Sequence, residues 1–450
     1  MRGASGAALH NRGLPDPMSL TQAGAAVGLD FGTTNSVAAV AGQFGEDPRL
    51  VSLAGPSGPV EVYRSALCFW RDPAVRGGFA AEAGPFAIHE YLEYPSDSRF
   101  LQSFKSVAAT PSFDRAVVFG RPYRFEDLGQ LYLEKLAIHA GGSLDRLDRL
   151  VVGRPVQYAG ARSDPVLARQ RYDAMFAGFA GEIHYVYEPL AAAFSYASRL
   201  TEPATLLVAD FGGGTSDFSI VRVEEPGVRQ RCKPLGHAGV GIAGDRFDQR
   251  IVDRLVLPLL GKGGRYRSFD KELEIPPGFF ADFSDWSKLA LMRNPRTLNE
   301  LGRLQRSALD PAAIGRMIAM IENELGFPLY DAVTRLKADL TQNDQSTFQF
   351  TGAGVEIEAM VTRREFDSWI ADDIARMANA VSDALSDAGV SAVEIDRVFL
   401  TGGTSLVPAV RRIFTSRFAE DRIMSGGELT SIAHGLALIA QEEDPSVWRA

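Results

Sequence analysis

The stretch Leu206 to Val221, LLVADFGGGTSDFSIV, decides how this chain is read. Leu206-Leu207-Val208-Ala209 is an apolar run and reads as a buried strand. Asp210 and Phe211 follow, then Gly212, Gly213 and Gly214, then Thr215, Ser216 and Asp217, before a second apolar run resumes at Phe218. Three successive glycines let a backbone take positive φ and come close to a ligand. Amide N–H groups exposed in such a turn form a concave donor site for phosphate oxygens. Asp210 and Asp217, at opposite ends of the turn, would repel unless a cation sits between them. Phosphates with a hard divalent metal satisfy both sets of groups.

The same device occurs earlier, in Ala26 to Val40, AVGLDFGTTNSVAAV. An apolar run leads into Asp30-Phe31-Gly32, then Thr33, Thr34 and Asn35, and a second apolar run follows. One glycine turn alone carries little weight, but a matched pair of strand–turn–strand units points to an internal duplication with two facing phosphate loops.

With 450 residues the chain exceeds one comfortable core, so two lobes are expected. Hydrophobic content of 46% and charged content of 23% are ordinary for a globular protein. The net charge of −9 argues against nucleic acid as the main partner. Two distant cysteines, Cys68 and Cys232, exclude a disulfide framework and fit a reducing cytoplasm. No apolar run approaches the ~20 residues of a membrane span. Residues 1–25 read as a disordered leader, with Met18 as an alternative start, and not as a secretory signal.

Further along, Leu67 to Trp70 reads as a strand, Glu90 to Leu92 as the start of a helix, and Phe125 to His139 as a helix. Lys105 lies outside both turns, and spacing alone does not separate a phosphate-directed lysine from a solvated one. Leu150 to Val156 reads as a strand ended by Pro155, and Asp164-Pro165 as a helix N-cap followed by proline. Tyr185 to Tyr187 is a short strand, and Glu188-Pro189 opens a helix to Tyr196. Gly239 to Gly244 matches G-x-G-x-x-G, yet no apolar strand feeds it, so it reads as a close-approach turn before a helix from Asp245 to Leu257.

Residues 258–311 look like an inserted, less regular piece. Asp310-Pro311 starts a helical stretch to Leu325, and Leu329 to Leu340 a second one with Arg335 and Lys337 on its surface. Phe348 to Met360 alternates like exposed sheet. Phe366, Trp369, Ile370, Ile374, Met377, Val381 and Leu385 make the clearest helical stripe, and Gly389 ends it. Ile395 to Leu400 is a strand followed by Gly402, Gly403 and Thr404, then a helix from Val407 that would aim its N-terminus at a ligand. Ser431 to Ala440 reads as an amphipathic helix.

Residues 28–36 (GLDFGTTNS), 187–193 (YEPLAAA), 209–217 (ADFGGGTSD) and 400–404 (LTGGT), with Lys105, resemble the ATPase domain of the seventy-kilodalton heat-shock, DnaK-like chaperones. That domain belongs to the actin and sugar-kinase superfamily. The resemblance spans approximately residues 26–441 and extends to short bacterial relatives that consist of the nucleotide-binding domain with an enlarged second lobe. It implies an α/β, two-lobed actin-like ATPase fold, with duplicated ribonuclease-H-like domains around a nucleotide cleft. Lobe I would be 26–204 and lobe II 205–441, the latter enlarged over about 255–360, with 442–450 as a tail.

The resemblance further implies Mg2+ with ATP or ADP in the cleft. Asp30, Glu188, Asp210 and Asp217 would organise the metal, mostly through water. Gly32, Thr33, Thr34 and Asn35 would hold phosphates from one side, and Gly212, Gly213, Gly214 and Thr215 from the other. Lys105 falls at the family's catalytic lysine. Gly244, Lys337, Thr341, Gly402, Gly403 and Thr404 would surround the adenosine. Arg154 and Pro155 fall near the position that couples nucleotide state to partner binding.

Ala338 and Leu406 stand where the family usually carries two adenine-stacking arginines, and Thr334 where a ribose-binding glutamate is common. This predicts weaker base recognition. The chain ends at Ala450 without an apolar linker or β-rich segment, so peptide clamping by the family's usual route is not expected. The reading is thus a slow, monomeric, cytoplasmic chaperone-type ATPase, with unfolded polypeptide or a co-chaperone as partner and neither nucleic acid nor membrane. A small-molecule kinase or an actin-like assembly ATPase is the alternative. A protein-kinase reading fails for want of a His-Arg-Asp loop. No Walker A motif is present, since Gly263 follows Gly261-Lys262, and six scattered histidines give no metal-hydrolase pattern.

Overall fold

The computed structural model describes residues 25–448, except 44–45, 76, 95–96, 160–161, 226–230, 282, 284–291, 293–294 and 427–428. The expected leader lies outside these residues apart from Ala25, which already belongs to a strand.

Both Asp-Phe-Gly turns sit inside antiparallel hairpins, and each hairpin founds a sheet. Ala25–Phe31 pairs antiparallel with Asn35–Val40, which pairs with Arg49–Leu50; on its other edge Ala25–Phe31 runs parallel to Leu147–Arg154, which is parallel to Ala180–Tyr187. The second sheet repeats this order. Ala204–Phe211 pairs antiparallel with Ser216–Glu225, which pairs with Arg231–Val240, while Arg397–Thr401 and Ile423–Ser425 add parallel strands on the opposite edge. One topology used twice is the duplicated ribonuclease-H-like arrangement of an actin-like fold.

The helix that follows each sheet's last described strand packs onto the other sheet. Glu188–Ala197 lies on the second sheet, and Ser431–Ala440 lies on the first. Together they bury an apolar seam that includes Val151, Leu190, Leu206, Val208, Leu436 and Ile439. Glycine makes the crossing close: a Cβ on Gly435 would lie 1.7 Å from the Ala191 carbonyl oxygen, and one on Gly28 2.3 Å from the Ala437 nitrogen. The closing helix is therefore not amphipathic, for His434 alone of its ten residues escapes burial. Beyond it, Trp448 packs edge-on against Phe194, with centroids 4.7 Å apart.

Local signals landed where side chains act on their own backbone. Asp164 accepts from the Val166 and Leu167 amides, and Asp310 from Ala313, so both Asp-Pro starts are genuine N-caps. The helix with the clear stripe runs Arg363–Ala388, opened by a Thr362/Glu365 capping box and closed by Gly389 at φ 65°.

Several expectations were displaced. Glu90 to Leu92 ends a helix, Gly84–Glu93, instead of beginning one, with proline in its first turn. Tyr185 to Tyr187 is only the end of Ala180–Tyr187. The G-x-G-x-x-G turn is fed by a strand after all, Arg231–Val240. Its edge position tolerates Pro234, which hid it from pattern reading. The helix after that turn covers Gly244–Ile251 and passes into a π-turn, Val252–Val256. The inserted piece contains a hairpin, Arg265–Ser268 with Lys271–Glu274, and the helix Pro295–Ser307. Phe348 to Met360 spans a two-stranded hairpin, Gln345–Gly352 with Val355–Thr362.

Candidate functional site

Strand register brings Asp210 opposite Asp217 and Phe211 opposite Ser216, with Gly212 N–H bonded to the Thr215 carbonyl at 3.0 Å to close the turn. Positive φ is not what the three glycines supply, since Gly212, Gly213 and Gly214 all stay out of the left-handed region. At Gly213 the requirement is close approach: a Cβ there would lie 2.1 Å from Thr34 Oγ1 and 3.2 Å from Asp245 Oδ1. Gly214 is roomier, with Thr33 Oγ1 nearest at 3.6 Å. The two turns therefore meet face to face across the cleft, Thr33 and Thr34 against Gly213 and Gly214.

The first turn is held from behind by Ser65, which the sequence did not single out. Its amide donates to the Thr34 carbonyl at 2.9 Å and its hydroxyl to the Gly32 carbonyl at 2.7 Å. The Ser36 hydroxyl lies 3.0 Å from the same Ser65 oxygen, and Asn35 pairs with Arg64 on the adjoining strand Tyr63–Arg64.

Beneath the turns lies a buried charge cluster. Lys105 is not a solvated lysine: it is 6% exposed, and its ammonium donates to Glu188 Oε1 at 2.6 Å. The chain reaches it through Ser103 at φ 52°, in a short 3-10 turn, Phe104–Val107. Burial alone would lower the lysine's pKa, but the Glu188 and Asp30 charges and the hydrogen bond outweigh it and the net direction is up. Asp30 is pushed up to about 7, by burial first and by Glu188 second, with Lys105 opposing. Asp210 is raised well above its ordinary value by burial and by the Glu188, Asp30 and Asp217 charges.

Asp217 is also pushed up to about 7, by burial and Glu188, against the pull of the Thr215 hydroxyl and two amides. Those amides, of Val156 and Gln157, donate to its Oδ1 at 2.8 and 3.1 Å. Asp217 Oδ2 and Thr34 Oγ1 are buried and find no hydrogen-bond partner among the described residues. Crowded carboxyls raised in pKa and oxygens without hydrogen bonds could hold a cation and its waters. No three His, Cys, Asp or Glu side chains among the described residues gather as a direct ligand set.

On the opposite side, Gly244, Thr404, Lys337 and Gly212 come together. A Cβ on Gly244 would lie 2.9 Å from Thr404 Oγ1, 3.4 Å from Lys337 Nζ and 4.0 Å from the Gly212 oxygen. Lys337 is turned inward, not to the surface, with Asp248 Oδ1 at 2.8 Å and the Gly244 carbonyl at 3.3 Å. Gly402 takes φ 83°, and a Cβ there would lie 2.0 Å from the Phe211 oxygen. Gly403 starts a 3-10 turn to Leu406, so the helix Pro408–Thr415 begins too late to aim its first amides from the glycine pair itself.

Thr341 donates its hydroxyl to carbonyls of its own helix, those of Ala338 and Lys337. Thr334 and Ala338 are exposed, and Leu406 is 56% exposed. The Arg154 guanidinium stacks over Tyr187 at 5.0 Å and Tyr158 at 5.6 Å. Asp245 and Asp248, on the helix after the glycine turn, were also missed, because nothing in their local pattern separates them from solvated helix acids.

A family model described as Hsp70 protein matches residues 122–263 and 323–445, more than half of the chain. The matched segments contain Glu188, the whole second turn, Gly244, Lys337 and the Gly402–Thr404 loop.

Proposed function

The chain belongs to the Hsp70 family, and from that premise we propose that it is a chaperone-type ATPase. It would bind Mg-ATP between lobes 26–204 and 205–441, the second enlarged over about 255–360, and hydrolyse it slowly to drive their opening and closing. One observation carries this reading: phosphate-type turns from two sheets meet at Thr34 and Gly213, and Lys105, buried and paired with Glu188, lies over the ring of Phe31 in the first turn.

Asp30, Asp210 and Asp217 would hold Mg2+ through water; bound there, the ion would neutralise charge on the phosphates. The remaining work falls to the chain's own groups. Thr33, Thr34 and Asn35 on one side, and the amides of Gly212 to Thr215 on the other, would fix the phosphates. Lys105, kept protonated by Glu188, would place positive charge where in-line transfer to water develops negative charge. Gly244, Lys337, Thr341, Gly402, Gly403 and Thr404 would line the nucleoside end.

The partner class is unfolded polypeptide or a co-chaperone, and the setting a monomer in the cytoplasm. Two buried, unpaired cysteines support a reducing compartment. No helix among the described residues is long and apolar enough to cross a membrane.

The test is steady-state phosphate release from Mg-ATP, with and without unfolded polypeptide. Slow release that polypeptide accelerates is the expected result. Release indifferent to polypeptide would move the assignment to a kinase or assembly ATPase, and absence of nucleotide binding would overturn it.

A further inference from the structure

Asp373 interrupts an apolar stripe. It stands between Ile370 and Met377 on the buried side of the helix Arg363–Ala388 and is 1% exposed. A charge buried there is costly unless it is paired. Its partners both come from the helix Gly244–Ile251. Arg250 donates from Nε to Oδ2 at 2.7 Å and from a terminal nitrogen to Oδ1 at 3.1 Å, a two-pronged fork, and Arg246 Nε lies 3.7 Å from Oδ1. Arg246 and Arg250 stand one helical turn apart on the same face, so a single carboxylate grips two successive turns.

The gripped helix serves the nucleoside end of the cleft. It begins at Gly244, and the Asp245 amide donates to the Gly213 carbonyl at 2.9 Å. Asp248 holds Lys337, from the helix Gly326–Gln342, at 2.8 Å. The helix is therefore a crossbar. Arg363–Ala388 packs on the strands Ser216–Glu225 and Arg231–Val240, so Asp373 ties the crossbar to the sheet that carries the second turn. Asp248 in turn ties Lys337 to the crossbar. Regular helix ends at Ile251, just past Arg250, where the π-turn Val252–Val256 begins.

Attachment alone does not require the ion pair. Phe247 and Ile251 of the same helix are fully buried, and Phe247 meets Phe366 edge-on with centroids 6.2 Å apart. Apolar contact has no direction and leaves a short helix some freedom to rotate or slide. A guanidinium fork on a fixed carboxylate removes that freedom. Resting on the nucleotide-binding reading above, we propose that Asp373 is a positioning residue for the nucleoside end. Through Arg250 and Arg246 it sets the rotation and axial placement of Gly244–Ile251, and with them where Gly244 and Lys337 stand against a bound nucleotide.

The experiment uses the full chain and reads thermal melting, calorimetric titration with Mg-ATP, and phosphate release at saturating Mg-ATP. Asp373→Asn and Arg250→Gln should each weaken Mg-ATP binding about three- to thirtyfold, the range for residues coupled to a site they do not touch. Their double variant should lose no more than the worse single one, since both changes remove one interaction. Phosphate release at saturation should stay within about twofold, because contacts at the nucleoside end are the same before and during transfer. Arg250→Met combined with Asp373→Leu separates direction from attachment. This apolar pair should keep the melting temperature, as apolar substitutes for buried ion pairs often do, and still bind Mg-ATP weakly.

An apolar pair that binds Mg-ATP like the unaltered protein overturns the proposal. So does one that melts well below it, which would make the ion pair an ordinary attachment. Phosphate release at saturation that falls in step with affinity also counts against, since the whole site would then be disturbed. If the single variants fail to fold, the apolar pair decides. If the unaltered protein binds no nucleotide, this inference falls with the reading beneath it. If it binds and all variants bind equally, only the role of Asp373 falls.

Discussion

The two Asp-Phe-Gly turns occupy the same place in the same topology, but they are built differently. In the second, Asp210 faces Asp217 across the hairpin; in the first, Asp30 faces Val37. The second turn thus concentrates charge, and one oxygen of its Asp217, Oδ1, is held from the other lobe by the Val156 and Gln157 amides. The first turn holds one acid and is braced from its own lobe, by Ser65 on two of its carbonyls. Duplication supplied two identical frames, and the side chains divided the work. One frame carries a facing carboxylate pair, to which we assign the cation in our proposal, and the other a hydroxyl-rich rim with Lys105 behind it.

The sharpest way to break this division is to remove its cation. Lys105→Ala should lower the hydrolysis rate about 10²–10³-fold, as loss of one preorganised charge donor does, while Mg-ATP binding is largely kept. Phosphate release and equilibrium titration separate the two, and unaltered turnover would remove Lys105 from the mechanism. The same variant should melt earlier, because a buried carboxylate loses its partner.

Asp210→Asn acts on the charged frame. Mg-ATP affinity should fall about tenfold, the worth of one charge-assisted contact, whereas binding in excess chelator should not fall. Equal loss with and without Mg2+ would contradict a cation-holding role.

A third comparison lies within one turn. Gly213→Ala places a methyl against Thr34 Oγ1 and should weaken nucleotide binding severalfold, while Gly214→Ala meets only ordinary contact distances and should leave it nearly unchanged. Equal titration curves for both variants would mean that the turns do not close on each other.

Asp217 gives a pH signature. Its folded pKa of about 7 lies above the ordinary 3.8, so between those values the folded state binds more protons than the unfolded one. Its stabilising contribution is complete below about pH 4 and is lost as pH rises through about 7. Asp217→Asn, which keeps an acceptor for the two amides, should melt higher than the unaltered protein above pH 7 without Mg2+. The gain should shrink steadily toward acid. Melting curves that keep a constant offset across that range would refute the assignment.

The smallest effect concerns the base. Ala338 and Leu406 are exposed, and on the proposed placement of the nucleoside beside them ATP should be preferred over GTP by less than about tenfold, because each missing stacking contact is worth only ~0.5–2 kcal/mol. A competition titration with strong ATP preference would show another group reading the ring.

What the sequence determined by itself is local or repeated. The hairpins around Asp30 and Asp210 carry apolar runs and glycine turns within a few residues. The Asp164-Pro165 and Asp310-Pro311 caps bond their own next turn, and the stripe from Phe366 to Leu385 has helical spacing, so neighbours in the chain settle each of these. Tertiary structure decided the rest. It buried Lys105 against Glu188, 83 positions away, put Ser65 behind the first turn, and turned Asp245, Asp248 and Lys337 inward. It also made Ser431–Ala440 a helix buried on almost every face, since its surroundings are the first sheet and Glu188–Ala197. Burial and charge pairing depend on which surfaces meet, and residues far apart in the chain leave no local periodicity from which that meeting can be read.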